Sequence, residues 1–391
     1  MVHDIQAGWA EDKTKDTSAL FLDVKGAFDN VSKIRLLHTM IAMGLPSPLV
    51  QWVSHFMSER TIGLAFDGQY EAERHAVDTG IPQGSPCSPI LFIIYLKPLF
   101  DELERQGLPL QCPSYMDDVA LVATGRTEAE NVAVLEQAAQ VVFQWAADNA
   151  VAFDDSKSEL LHFTRKLHEP LPLQLPNGTT VKPAKVLRWL GVWLDCKLSF
   201  TTHVSTKLAA AERALQGILR LSNTKKELTV SHMRRLFQAC IVPISDFGSE
   251  IWWKGQQGLA DKLQKLQNTA TQRILGAFKT TPIPILNAEA ALLPATHRLT
   301  QSQRRYALRL LRLPPSHPVV RRCPDGFHLG TTHWDWDVGG TPWDVPTRAG
   351  GHKTSLIRVL HSISRVWVSH SGCSVYSFPT ISGNGENCRG L

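Results

Sequence analysis

The chain has 391 residues, of which 43% are hydrophobic and 20% charged, with a formal net charge of +5. That length can bury a large core and predicts two or three domains. No apolar run reaches the roughly 18 residues of a membrane helix. The strongest, Ile90 to Leu96, is interrupted by Lys97 and Pro98. Met1 to Asp16 is polar and unlike a secretory leader, and the seven cysteines show no Cys-x-x-Cys or Cys/His spacing. Membrane insertion, secretion, a zinc knuckle and a disulfide framework are thus disfavoured, and reduced thiols in the nucleus or cytoplasm are expected.

In chain order, Ser18 to Val24 is an apolar run of strand length with Asp23 near its end. Residues 31 to 43 show helical spacing and stop at Gly44, and Pro48 to Met57 predicts a second short helix. A hairpin from Thr61 to Val77 turns at Asp67-Gly68, so that about 30–80 forms a helical and hairpin insert, a lid beside a sheet. The loop Thr79-Gly80-Ile81-Pro82-Gln83-Gly84-Ser85-Pro86 opens a helix from Ser88 to about Arg105. Gln111 to Met116 and Val119 to Thr124 predict strands that put Asp117 and Asp118 at a hairpin tip. Thr127-x-x-Glu130 is a capping box for a helix to about Ala150, with Leu135, Ala138, Val142 and Trp145 facing the core.

Lys157 precedes a strand, Leu160 to Thr164, and a hairpin at Asn177-Gly178 leads to a strand region from Val186 to Asp195. This alternation predicts an α+β fold, a sheet layered with helices. Beyond Lys197 the spacing is helical over roughly 202–221, 228–241, 257–275 and 297–313, punctuated by Pro243, Pro282 and Pro284. From Pro314 onward Pro, Gly and Trp replace periodicity, and residues 323–391 are expected to form a poorly ordered tail.

Charge divides along the same line. Residues 1–196 hold 16 Lys and Arg against 25 Asp and Glu, whereas 197–322 hold 20 against 6. An acidic half followed by a basic half suits metal binding beside a polyanion, although a basic block can also be a set of solvated helix faces.

Asp23 and the Asp117-Asp118 pair lie on separate apolar strands. Joining a nucleotide to a primer needs two divalent ions about 3.5–4 Å apart, and magnesium takes hard oxygen ligands, so clustered Asp is the expected cage. Taken alone, an Asp-Asp after an apolar run is an ordinary solvated turn. The pairing, order and flanking residues favour a nucleotide polymerase.

Five segments then match one family in order. They are Asp23-x4-Phe28-Asp29, Gly80-x-Pro82-Gln83-Gly84-Ser85, Tyr115-Met116-Asp117-Asp118, Lys157-Ser158-Glu159 and Trp189-Leu190-Gly191-Val192. Residues 243–252 and 266–277 add softer similarity. The chain resembles the reverse transcriptase of a non-LTR (LINE-type) retrotransposon, fungal in type, over about residues 18 to 313.

That resemblance implies a right-hand palm with partial fingers over 1–196 and an α-helical basic thumb over 197–322. It implies RNA-directed DNA polymerase activity with two Mg2+ ions, Mn2+ being a possible substitute. Asp23 and Asp117 would hold both metals, with the Val24 carbonyl as an extra ligand and Asp118 in support. Phe28 would exclude a ribose 2′-hydroxyl, Gln83 and Gly84 would line the template and nucleotide pocket beside Tyr115, and Leu190-Gly191 would steady the primer end. Lys157 would act as a general acid on pyrophosphate or as a cation near the triphosphate.

The implied partners are an RNA template, a DNA primer and dNTPs, with the element's own RNA and an endonuclease in trans as further ones. The family's upstream fingers motifs, its endonuclease and a ribonuclease H carboxylate set are not found, Asp335 and Asp337 being too isolated to count, so a fragment truncated at the N-terminus and also at the C-terminus is expected. Two other readings stay open: a catalytically dead fragment that only binds nucleic acid, and a nucleotide cyclase on a similar palm. The Pro-Gln-Gly loop and the basic helices have no role in the cyclase.

Overall fold

The computed structural model describes residues 1–314 and 317, apart from 64, 71–73, 150, 167–168 and 223–228. The tail expected over 323–391 lies outside the described residues.

A helix not anticipated from sequence opens the chain: α1 (Val2–Glu11). Its polar residues mask a narrow apolar stripe, Met1, Ile5 and Trp9 at helical spacing, which is buried. The predicted strand is β1 (Asp16–Lys25), followed by α2 (Lys33–Ala42) and α3 (Ser47–Phe56). The predicted hairpin is a nested ribbon. Strands β2 (Arg60–Ile62) and β5 (His75–Val77) pair at its base, and β3 (Ala65–Phe66) and β4 (Gln69–Tyr70) pair at its tip. Helix α4 (Ser88–Arg105) runs through Pro98 over the predicted span.

The expected strand 111–116 is broken into β6 (Leu110–Gln111) and β7 (Ser114–Tyr115), both paired with β8 (Asp118–Gly125). The cause is Pro113, which has no N–H for the ladder; its carbonyl still accepts from the Ala120 N–H at 2.9 Å. The capping box of α5 (Glu128–Asp148) forms in both directions. After it come β9 (Ala152–Phe153), β10 (Glu159–Phe163) and the hairpin of β11 (Leu173–Gln174) with β12 (Thr180–Val181). A further hairpin pairs β13 (Val186–Trp189) with β14 (Val192–Asp195).

The remainder is helical: α6 (Thr201–Ser222), α7 (Val230–Leu236), α8 (Val242–Ser245), α9 (Ser249–Trp252), α10 (Gln257–Leu275), α11 (Ile283–Glu289) and α12 (Ala295–Leu311). Between α7 and α8 the chain widens into a π turn, Phe237–Ile241. Pro243 explains this, because its ring cannot sit under the carbonyl four residues back in a regular helix. Among the described residues no helix is long and apolar enough to cross a membrane.

The antiparallel sheet runs β10-β1-β8-β6, with β9 also on β1 and β7 also on β8. Alternation along β1 divides the core in two. Leu20, Leu22 and Val24 join Val119 and Leu121 under α2, α4 and α5. Ala19 and Phe21 join Ala120 and Val122 on the other face, beneath α1, the β13–β14 hairpin and helices α6, α9, α10 and α12. A third cluster lies within the helical part, between α6, α7 and α10.

One buried histidine joins these layers. Nδ1 of His203 accepts the Trp193 N–H at 3.3 Å, and Nε2–H donates to the Phe247 carbonyl at 2.9 Å. Burial holds the imidazole below its ordinary value of 6.5, with the Lys207 charge adding to the effect. A folded pKa below the unfolded one means that the unfolded chain binds more protons as pH falls. The contribution of His203 is therefore complete above about pH 6.5 and is lost as pH drops below it. His203→Gln is expected to cost about 1–3 kcal/mol at pH 7.5, and the gap between wild type and variant in thermal melts should shrink at pH 5.5. An unchanged gap would refute a neutral His203.

Candidate active site

The register of the two central strands sets Asp23 directly opposite Asp118. Paired residues point to one face of a sheet, here the face of Ala19, Phe21, Ala120 and Val122. Met116 and Asp117 form the two-residue turn before β8, with Met116 at φ 58°. Asp117 therefore sits at the tip as expected, whereas Asp118 is the first residue of the strand. Tyr115 pairs with Asp118 and is exposed.

A 3-10 turn at Asp155–Lys157 brings Lys157 to the same place. Its Nζ donates to Oδ2 of Asp23 at 2.8 Å and lies 3.7 Å from Asp154. The Asp154 N–H in turn donates to the Asp23 carbonyl at 2.9 Å. The hydrogen bond and charge of Asp23 hold the Lys157 ammonium above its usual value. Asp118 moves in the same direction: burial raises its carboxyl, and the charges of Asp117 and Asp23 raise it further.

The donor chemistry fits a hard divalent cation, since these are carboxylate oxygens whose mutual repulsion such an ion would relieve. Among the described residues, however, no three His, Cys, Asp or Glu side chains are drawn into a ligand cage. Asp23 instead satisfies its charge with Lys157.

The second loop is clamped to the turn that follows β1. The Ile81 N–H donates to the Phe28 carbonyl at 2.6 Å, the Gly80 N–H to that of Val31 at 2.9 Å, and Gln83 Nε2 to Asp29 Oδ1 at 3.0 Å. Arg60 Nη2 locks the loop from the ribbon side, donating to the carbonyls of Thr79 and Gly80 at 2.5 and 2.7 Å. Sequence reasoning missed Arg60, whose only signal is a place at the base of the ribbon. Phe28 is half-buried against Phe92, ring centroids 5.3 Å apart. Val24 is buried and pairs with Phe153.

Gly80 has no room for a side chain. A Cβ there would lie 2.8 Å from the Asp29 carbonyl oxygen and 2.9 Å from that of Phe28, with φ at +77°. Gly84, at φ +89°, opens onto free space. Gly80→Ala is expected to lower stability by more than the roughly 1–2 kcal/mol of left-handed backbone strain. Gly84→Ala should show that strain alone, so equal thermal shifts for the two would refute the clamp.

Leu190 and Gly191 do not lie within a strand as expected. They are the turn between β13 and β14, with φ values of 48° and 78°. Trp189 rests on Phe21 at 5.5 Å, two positions before Asp23, so the turn belongs to the face of the aspartates.

Residues 2–194 match the family described as reverse transcriptase (RNA-dependent DNA polymerase). The chain is similar to a probable RNA-directed DNA polymerase from transposon X-element of Drosophila melanogaster, 25% identical over 78% of this chain and 33% of that protein. A second similar protein, from transposon BS of the same fly, is 24% identical over 81% of this chain and 36% of its own length. The chain thus spans about a third of the length of these relatives. Among solved structures, telomerase from Candida tropicalis with a fragment of telomeric RNA aligns at a TM-score of 0.36 and 12% identity, over 77% of this chain and 52% of that one. Carrying both aspartate strands and the clamped loop, residues 2–194 belong to the reverse transcriptase (RNA-dependent DNA polymerase) family.

Proposed function

We propose that the chain is the RNA-directed DNA polymerase part of a non-LTR retrotransposon protein, adding dNTPs to a DNA primer on an RNA template. The observation that carries this reading is the register pairing Asp23 with Asp118, with Asp117 at the adjoining turn and Lys157 beside them. The relatives, named for transposons and for RNA-directed DNA polymerases, support it. In this reading residues 1–196 are palm with partial fingers and 197–322 a basic thumb that follows the hybrid by charge and A-like shape.

Asp23 and Asp117 would hold two Mg2+ ions, or Mn2+ in their place, with the Val24 carbonyl as a further ligand and Asp118 in support. When bound, such a pair activates the primer 3′-hydroxyl and stabilises the leaving pyrophosphate. Lys157, whose Nζ lies 2.8 Å from Asp23, would serve as a fixed positive charge near the triphosphate. Phe28 selects against a ribose 2′-hydroxyl, Gln83 and Gly84 line the pocket with Tyr115, and Leu190-Gly191 steadies the primer end.

The test is primer extension on poly(rA) with oligo(dT) by the purified chain. Magnesium-dependent or manganese-dependent extension is expected, and hybrid binding without extension would select the reading of a catalytically dead fragment.

A further inference from the structure

The turn that carries Lys157 is organised by Asp154, every polar atom of which is engaged. Its N–H donates to the Asp23 carbonyl at 2.9 Å, and its own carbonyl accepts from the Lys157 N–H at 3.0 Å and the Ser158 hydroxyl at 3.3 Å. One carboxylate oxygen caps the 3-10 turn, accepting from the N–H and the hydroxyl of Ser156 at 3.2 and 2.6 Å. The other lies 3.7 Å from Lys157 Nζ. The next residue is braced as well: the side-chain amide of Asn177, at the β11–β12 turn, donates to the Asp155 carboxylate.

Among the described residues, Asp23 and Asp154 are the two carboxylates within 4 Å of the Lys157 ammonium. In the polymerase reading the Asp23 carboxylate is spent on metal, which leaves Asp154 as the anchor of the lysine. An anchor matters here because the Lys157 side chain is 63% exposed, and a four-carbon stem in solvent is otherwise free to rotate.

We infer that Asp154 is a positioning residue for Lys157. Its backbone ties the turn to Asp23 and its carboxylate directs the ammonium, so that the charge is held where the triphosphate of an incoming nucleotide arrives. The inference rests on the polymerase reading for that ligand, and it gives Asp154 itself no contact with substrate.

The test is equilibrium binding of dTTP, in Mg2+, to the chain on poly(rA) with an oligo(dT) primer ended by a dideoxynucleotide, so that no bond is made. Lys157→Ala and Asp154→Ala should each weaken dTTP binding roughly 5- to 10-fold, and the double variant should match Lys157→Ala to within about twofold. Asp154→Asn keeps the cap and loses the charge beside Lys157, so it should weaken binding less, by about two- to fivefold. Losses that multiply in the double variant overturn the inference, because a residue that merely holds the fold weakens binding whether or not Lys157 is present. Wild-type binding by Asp154→Ala overturns it too. Should Asp154→Ala fail to fold, Asp154→Asn takes its place in the cycle. If wild type binds dTTP but never extends an unblocked primer, the polymerase reading fails while Asp154 is still judged by the cycle. A chain that binds no dTTP on the hybrid ends both.

Discussion

Asp117→Ala is expected to abolish primer extension, lowering kcat by at least roughly 10^3-fold, on the order of 4 kcal/mol of barrier, while hybrid affinity stays within about twofold. The division follows from placement. Asp117 occupies the turn at the tip of the β7–β8 hairpin, next to Asp118, which faces Asp23 across the ladder. The cations that would attract a polyanion lie instead in the helical half, where Lys and Arg outnumber Asp and Glu by 20 to 6 over 197–322. In the proposed reading, losing this carboxylate removes a metal ligand and eases the approach of phosphate. The measurements are steady-state extension and anisotropy on the same hybrid. Parallel loss of both activities would show that chemistry and binding are not separable in this way.

Phe28→Val is expected to raise ribonucleotide use relative to deoxynucleotide use by roughly 10- to 100-fold, the range a pocket contact of this size commands. The ring is held from two sides. Phe92 packs against it, and the Phe28 carbonyl receives the Ile81 N–H, so that its backbone and the Gly80–Ser85 loop are one unit. A ring backed by Phe92 can exclude a hydroxyl by collision. Phe28→Tyr keeps the bulk and should keep the selectivity. The readout is single-nucleotide incorporation of matched dNTP and rNTP; an unchanged ratio in Phe28→Val would reduce Phe28 to a packing residue.

What the sequence disclosed, and what it hid, divides along local and non-local physics. The strand holding Asp23, the helix from Ser88 and the capping box at Thr127 rest on neighbouring residues, and all are where the pattern put them. Helix α1 was hidden because three buried side chains are diluted among polar ones. The break at Pro113 and the turn at Leu190-Gly191 depend on which strand pairs with which, and alternation alone does not settle pairing. Among site residues, Lys157 reaches Asp23 across 134 positions, and the pairing of β1 with β9 before Lys157 and with β10 after it explains the encounter. Arg60 carries no motif; its significance comes wholly from what it touches.

Strand β1 is sealed above and below, with alternate side chains committed to two different cores. Its parity is therefore locked. Gaining or losing one residue between Asp16 and Asp23 would rotate the acid into the opposite layer and set its neighbours at odds with both. A single-codon insertion or deletion in this stretch would thus displace the acid and disturb both cores in one step.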